Sequence, residues 1–142
     1  MEFIEPSYEI IDKLDGSTII KKIELCGRVC YKSEKRITED SAEKFVRTLI
    51  KSGHESVLEH ASFSVRFTVS RAIANEIVRH RLASYSQEST RYCNYNSGIQ
   101  VIIPKAVEND ETYKSFCLQS ETQYTKMLAA GCRPETARGV LP

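Results

Sequence analysis

Phe63-Ser64-Val65-Arg66-Phe67-Thr68-Val69-Ser70 runs into Arg71-Ala72-Ile73-Ala74-Asn75-Glu76-Ile77-Val78 and then into Arg79-His80-Arg81. In the first segment Phe63, Val65, Phe67 and Val69 alternate with polar residues, the period of two that a half-buried strand requires. Ser70 then stands where a helix N-cap belongs, and Ile73, Ala74, Ile77 and Val78 recur at the spacing of one helical face. Strands and helices do not alternate elsewhere as regular βαβ units. The pattern therefore predicts an α+β fold, a central mixed or antiparallel sheet flanked by helices, one of them long.

The flanking segments extend this reading. On the N-terminal side, Tyr8 to Leu14 begins as a short apolar strand and meets Asp15-Gly16, a turn signal, after which Ser17 can cap a helix carrying Ile20, Ile23 and Val29. Thr38 can cap a second helix with the apolar face Phe45, Val46, Leu49 and Ile50, ended by Gly53. Ser56 and Glu59 have capping-box spacing, which competes with any functional reading of them. On the C-terminal side, Gln100 to Ile103 reads as a strand stopped by Pro104. Asn109 opens the long helix, with Tyr113, Phe116, Cys117, Tyr124, Met127 and Leu128 as a core stripe and Gly131 at its end.

The chain has 142 residues, the size of one ordinary domain, and a single domain spanning 1–142 is expected. Twenty basic residues against nineteen acidic ones leave a net charge of +1, so there is no global field to attract nucleic acid or an anionic membrane. Any anion site must be local. Five cysteines without a CxxC pair, and no signal-like N-terminus, point to a reduced cytoplasmic protein. Cys26 and Cys30 share a helical spacing but lack a histidine partner, so they read as packing residues and no metal site is expected. The glycines never form GxGxxG or GxxxxGKS, which leaves phosphate binding to side chains.

Arg79-His80-Arg81-Leu82-Ala83-Ser84-Tyr85-Ser86-Gln87-Glu88-Ser89-Thr90-Arg91 supplies those side chains. Three guanidinium forks among hydroxyls and amides suit phosphates, carboxylates or imide-like bases. Arg-His-Arg, seven residues, then Ser-x-Arg resembles the signature of the flavin-dependent thymidylate synthases. Gly53-His54-Glu55-Ser56-Val57-Leu58-Glu59-His60 and Glu135-Thr136-Ala137-Arg138-Gly139-Val140-Leu141-Pro142 resemble two further segments of that family, in the same order.

The resemblance implies a ThyX-like fold and the reductive methylation of dUMP to dTMP. Methylenetetrahydrofolate would be the carbon donor, and FAD reduced by NADPH the hydride source. It places Ser56, Glu59, Arg79, His80, Arg81 and Gln87 at FAD, and Glu76, Arg79, Gln87, Glu88, Ser89, Thr90, Arg91 and Arg138 at dUMP. His54 and Tyr92 correspond to positions near the folate and flavin rings. It further implies a homotetramer with shared active sites. The family's scheme needs no protein nucleophile, and no catalytic residue is assigned: Ser89 lacks a visible His-Asp pairing and reads as a binding hydroxyl.

This chain departs from the family in three respects. Glu76 stands where relatives carry Gln, which puts a carboxylate near the expected nucleotide, costly unless Arg79 pairs with it. Ser86-Gln87 replaces Asn-Glu, and relatives continue for a C-terminal third beyond Pro142 that holds the arginine orienting the uracil. The expectation is a chain lacking that part. Two alternatives stand beside the enzyme: a non-catalytic truncated paralogue or assembly subunit, and a nucleic-acid module. In the latter, Arg79, Arg81 and Arg91 would grip phosphates while Tyr85, Tyr92 and Tyr95 stack on bases, a reading the neutral charge disfavours.

Overall fold

The computed structural model describes residues 1–142. In chain order it contains β1 (Glu2–Ile4), β2 (Ser7–Ile10), α1 (Gly16–Val29), α2 (Ser41–Lys51), β3 (Val65–Thr68), α3 (Arg71–Ile77), β4 (Gln100–Ile102), α4 (Glu111–Ala129) and α5 (Pro134–Ala137). Short 3₁₀ turns lie at Glu34–Arg36, Glu55–His60, Lys105–Val107 and Arg138–Val140. No helix is long and apolar enough to cross a membrane. The α+β class stands, with helices dominant. The strands form two separate two-stranded ladders, β1–β4 and β2–β3, in place of the one central sheet expected. The first of these is parallel, with Glu2 opposite Gln100, Phe3 opposite Val101 and Ile4 opposite Ile102. Pairing between residues so distant in sequence leaves no local signal, which is why alternation alone overestimates the sheet.

The chain is described as two compact units. One unit is Tyr8–Arg66 and the other combines Met1–Ser7 with Phe67–Pro142. In the first, α1 and α2 pack through Ile23, Val46 and Leu49, with Ile19, Ile20, Phe45, Val57, Leu58 and Ala61 around them. Asp15, rather than Ser17, caps α1: its carboxylate accepts from the Ser17 amide (3.0 Å) and from the hydroxyls of Ser17 (2.8 Å) and Thr18 (2.6 Å). A carboxylate with three donors at the positive end of a helix outcompetes a hydroxyl one residue later, and Asp15-Gly16 is a helix start rather than a turn. These bonds, led by that of Thr18, lower the Asp15 pKa from 3.8 to about 2.

Thr38 likewise does not cap α2, which begins at Ser41; the Thr38 amide donates to Ser41 Oγ at 2.9 Å. Ser41 Oγ in turn donates to Glu24 Oε2 at 2.8 Å. Glu24, 1 % exposed, also receives Arg28 Nη2 at 2.8 Å and Nε at 3.1 Å, and the Arg28 guanidinium lies 4.3 Å from the Phe45 ring centroid. A carboxylate buried between two helices is thus matched by three donors and has no unsatisfied oxygen. Gly53 ends the helical stretch with φ of 69°, a left-handed conformation that favours glycine.

In the second unit the core consists of Ile99, Val101, Cys117, Tyr124 and Ala137, flanked by Tyr95, Tyr113, Met127, Leu128, Val140 and Leu141. Tyr124, Cys117 and Ser120 are the buried residues of α4, whereas Phe116, expected in the same stripe, is 63 % exposed. Asp110, one residue after the expected Asn109, caps α4 by accepting from the amides of Thr112 (2.8 Å) and Tyr113 (3.2 Å). Ser70 caps α3 as its position suggests, accepting from the Ile73 amide.

Candidate functional site

Helix α3 ends immediately before the arginine segment. The Arg79 amide donates to the Glu76 carbonyl and the His80 amide to the Ile77 carbonyl, both at 3.0 Å, so the chain leaves the helix through a closing turn. Arg79, His80 and Arg81 are exposed there. The ion pairs of the chain involve the N-terminal amine, Arg28, Arg47, Arg66, Arg91, Lys114 and Arg133. Arg79 and Arg81 therefore keep their full donor sets available for an anion. Glu76 is exposed and pairs with neither, so water solvates its carboxylate and the burial cost raised by the sequence does not arise.

From Leu82 to Gln87 the segment is exposed, tied back by the Tyr85 hydroxyl donating to the His80 carbonyl at 2.7 Å. The next stretch is a tight turn. The amides of Tyr92 (3.1 Å) and Cys93 (2.9 Å) both donate to the Ser89 carbonyl, and Ser89 Oγ accepts from the Arg91 amide at 3.4 Å. Ser89 and Thr90 are half-buried, Arg91 and Tyr92 exposed, and the Arg91 guanidinium lies 5.6 Å from the Tyr92 ring centroid.

Two segments that sequence holds far apart meet at this turn. Arg138 Nη1 donates to Thr90 Oγ1 at 3.1 Å, and Arg91 approaches Glu135 at 3.9 Å while Arg133 pairs with the same carboxylate at 3.2 Å. Burial of Ala137 in the core of this unit explains the placement. A small residue with no exposed surface fixes the short α5 from which Glu135 and Arg138 project. Ser89, Thr90, Arg91 and Arg138 thus form one hydroxyl and guanidinium cluster.

His54, Ser56 and Glu59 belong to the other unit. They lie on the turn Glu55–His60, which rests on α1 through Val57 and Leu58. All three are exposed, and the turn shows no side-chain cap bond. The capping-box reading of Ser56 and Glu59 is set aside, because a 3₁₀ turn of six residues offers no α-helical N-terminus to cap.

Two contributors escaped the sequence reading. Glu135 had no role assigned to it, and only the fold shows it facing Arg91. Tyr95, read before only as a base-stacking residue, donates its hydroxyl to Glu88 within the arginine segment. The spacing of seven between them carries no recognisable pattern.

The backbone matches that of the UMP/dUMP methylase PolB from Streptomyces cacaoi, solved with 5-Br dUMP, at a TM-score of 0.81 and 22% sequence identity. The match covers 100% of this chain and 70% of that one. This establishes the α+β fold as one that a nucleotide methylase uses. The family model for thymidylate synthase complementing protein (Thy1) matches residues 9–142. Flavin-dependent thymidylate synthase from Pyrococcus furiosus is 34% identical over 137 residues, spanning 91% of this chain and 56% of that protein. The enzyme of the same name from Mycobacterium sp. (strain JLS) is 43% identical over 114 residues, spanning 75% of this chain and 44% of its own length. The chain belongs to the flavin-dependent thymidylate synthase family, and it spans about half the length of the curated relatives it matches.

Proposed function

We propose that this chain carries flavin- and nucleotide-binding parts of a flavin-dependent thymidylate synthase. Such an enzyme methylates dUMP reductively to dTMP, with methylenetetrahydrofolate as carbon donor and NADPH as the source of electrons. The observation that carries the reading is the Arg138–Thr90 hydrogen bond, which joins two family-matching segments 48 residues apart into one cluster of hydroxyl and guanidinium groups. In this reading Ser89, Thr90, Arg91 and Arg138 hold the nucleotide phosphate, with Glu76, Gln87 and Glu88 beside the nucleoside. Hydroxyl and guanidinium donors together match a dianionic phosphate without a glycine loop.

FAD is the cofactor of the reading, and the donor set at the end of α3 fits it. Arg79 and Arg81 are unpaired, exposed cations, and His80 adds a ring that can donate to a pyrophosphate oxygen. Ser56, Glu59 and Gln87 complete the assignment, with His54 and Tyr92 offering ring faces near the folate and flavin. Bound there, reduced FAD supplies the hydride. The residues of the chain hold, orient and neutralise the anionic groups, and no side chain is assigned a covalent role. A homotetramer with sites shared between subunits belongs to the same proposal.

Titration of the chain with FAD, followed by flavin fluorescence, and with dUMP, followed by calorimetry, tests the assignment. Saturable FAD binding abolished by Arg79→Ala is expected. Arg91→Ala is expected to weaken dUMP by about 10- to 100-fold, the worth of one charge-assisted bond. Unchanged affinities in both variants, or no binding of either ligand even after extension of the chain to the length of its relatives, would refute it.

A further inference from the structure

Glu88 lies in the nucleotide-binding segment, yet its carboxylate is engaged from outside that segment by the Tyr95 hydroxyl. Tyr95 is itself anchored. Its ring packs against the core cluster, 6.1 Å from the ring centroid of Tyr124, and its backbone amide donates to the Tyr124 hydroxyl at 3.3 Å. Tyr124 has no exposed surface, so the chain from Asn94 to Ile99 is fastened to α4 by a rigid, buried aromatic. The Ile99 amide adds a second tie, donating to Glu121 of the same helix at 3.1 Å.

We infer that Tyr95 is a positioning residue that sets the nucleotide-binding turn Ser89–Thr90–Arg91 by holding Glu88 to the core, an inference that rests on the function proposed above. The Glu88–Tyr95 bond closes a loop around that turn on one side, and the Arg138–Thr90 bond pins it on the other. Between the two anchors, the Ser89 and Thr90 hydroxyls and the Arg91 guanidinium are held in place before the ligand arrives. Preorganised donors cost less to order on binding than a free loop does. Tyr95 remains a donor throughout the working range, because burial and then the bond to Glu88 raise its pKa. The other groups acting on it are the Cys93 thiol and the opposing charge of Arg71.

The experiment is a double-mutant cycle on Tyr95→Phe and Glu88→Ala with two readouts, dUMP affinity and amide hydrogen exchange. Tyr95→Phe keeps the ring in the core and removes only the hydroxyl, so the melting curve should stay close to that of the parent. Weakening of dUMP binding by about tenfold is expected, and Glu88→Ala should cost less in the Tyr95→Phe background than in the parent. Exchange at residues 89–93 should accelerate while α4 stays protected. Additive losses would overturn the inference, since a purely structural tyrosine does not act through Glu88. If the parent chain binds no dUMP, the functional proposal fails separately and exchange decides: unchanged protection at residues 89–93 in Tyr95→Phe refutes the positioning role.

Discussion

Gly27 offers the sharpest test of how the turn carrying Ser56 and Glu59 is held. It is buried in the last half of α1, where an added Cβ would lie 2.7 Å from Phe45 Cε1, 3.1 Å from its Cζ and 3.2 Å from Val57 Cγ1. Gly27→Ala gains about 1 kcal/mol of helix propensity. Against this stand overpacking, about 1–3 kcal/mol, and partial loss of the Arg28–Phe45 stacking, worth about 0.5–1 kcal/mol. The clash wins, giving a net loss of about 1–2 kcal/mol, because Phe45 is half-buried and Val57 closes the other side. Urea unfolding followed by circular dichroism should show a lower midpoint at unchanged slope. In a Phe45→Leu background the ring edge is gone and the same substitution should be neutral or stabilising. An equal loss in both backgrounds, or no loss in the parent, would refute the reasoning. Since Val57 belongs to the turn bearing Ser56 and Glu59, the single variant should also weaken FAD in the fluorescence titration.

Three further outcomes are expected. With the Asp15 pKa lowered to about 2 from 3.8, the folded state binds this proton less readily than the unfolded chain. The stabilisation is therefore complete above about pH 4 and lost as pH falls toward 2, and an acid-unfolding curve should lose that component in Asp15→Ala. Glu24→Ala strands Arg28 and Ser41, and since Arg28 keeps 14% side-chain exposure the cost should be about 2–3 kcal/mol in urea, below that of a fully buried pair. Arg138→Ala breaks an exposed bond, so stability should change by less than about 0.5 kcal/mol while dUMP affinity, read by calorimetry, falls about tenfold.

The local signals in the sequence were accurate wherever a side chain acts on its neighbours. Ser70 as cap of α3 and the left-handed Gly53 follow from residue type and spacing, while α3 stops at Ile77, two residues short of Arg79. The helix starts at Asp15 and Asp110 were displaced by one or two residues, because several polar residues compete there and the carboxylate with most donors prevails. Alternation from Phe63 to Val69 gave a strand but misjudged its faces, since Phe63 and Phe67 are 57% and 51% exposed. Period two reports which residues share a face, and burial depends on what packs against it.

The candidate site divides along the same line. Arg79, His80, Arg81 and the Ser89–Arg91 turn were legible because the chemistry is concentrated in thirteen consecutive residues. What holds that proposed site together is not local. Leu82 and Tyr92 are 98% and 80% exposed, so the segment buries little surface of its own and gains little order from hydrophobic contact. Among the side-chain bonds that order it are Tyr85 to the His80 carbonyl, Tyr95 to Glu88, and Arg138 to Thr90. The last two run to residues fixed by Tyr124 and Ala137, the two core positions with no exposed surface. Core residues outside the proposed site thus help to place Glu88 and Arg138. A substitution in α4 that loosened Tyr124 should degrade the proposed anion site through Tyr95 without replacing any arginine.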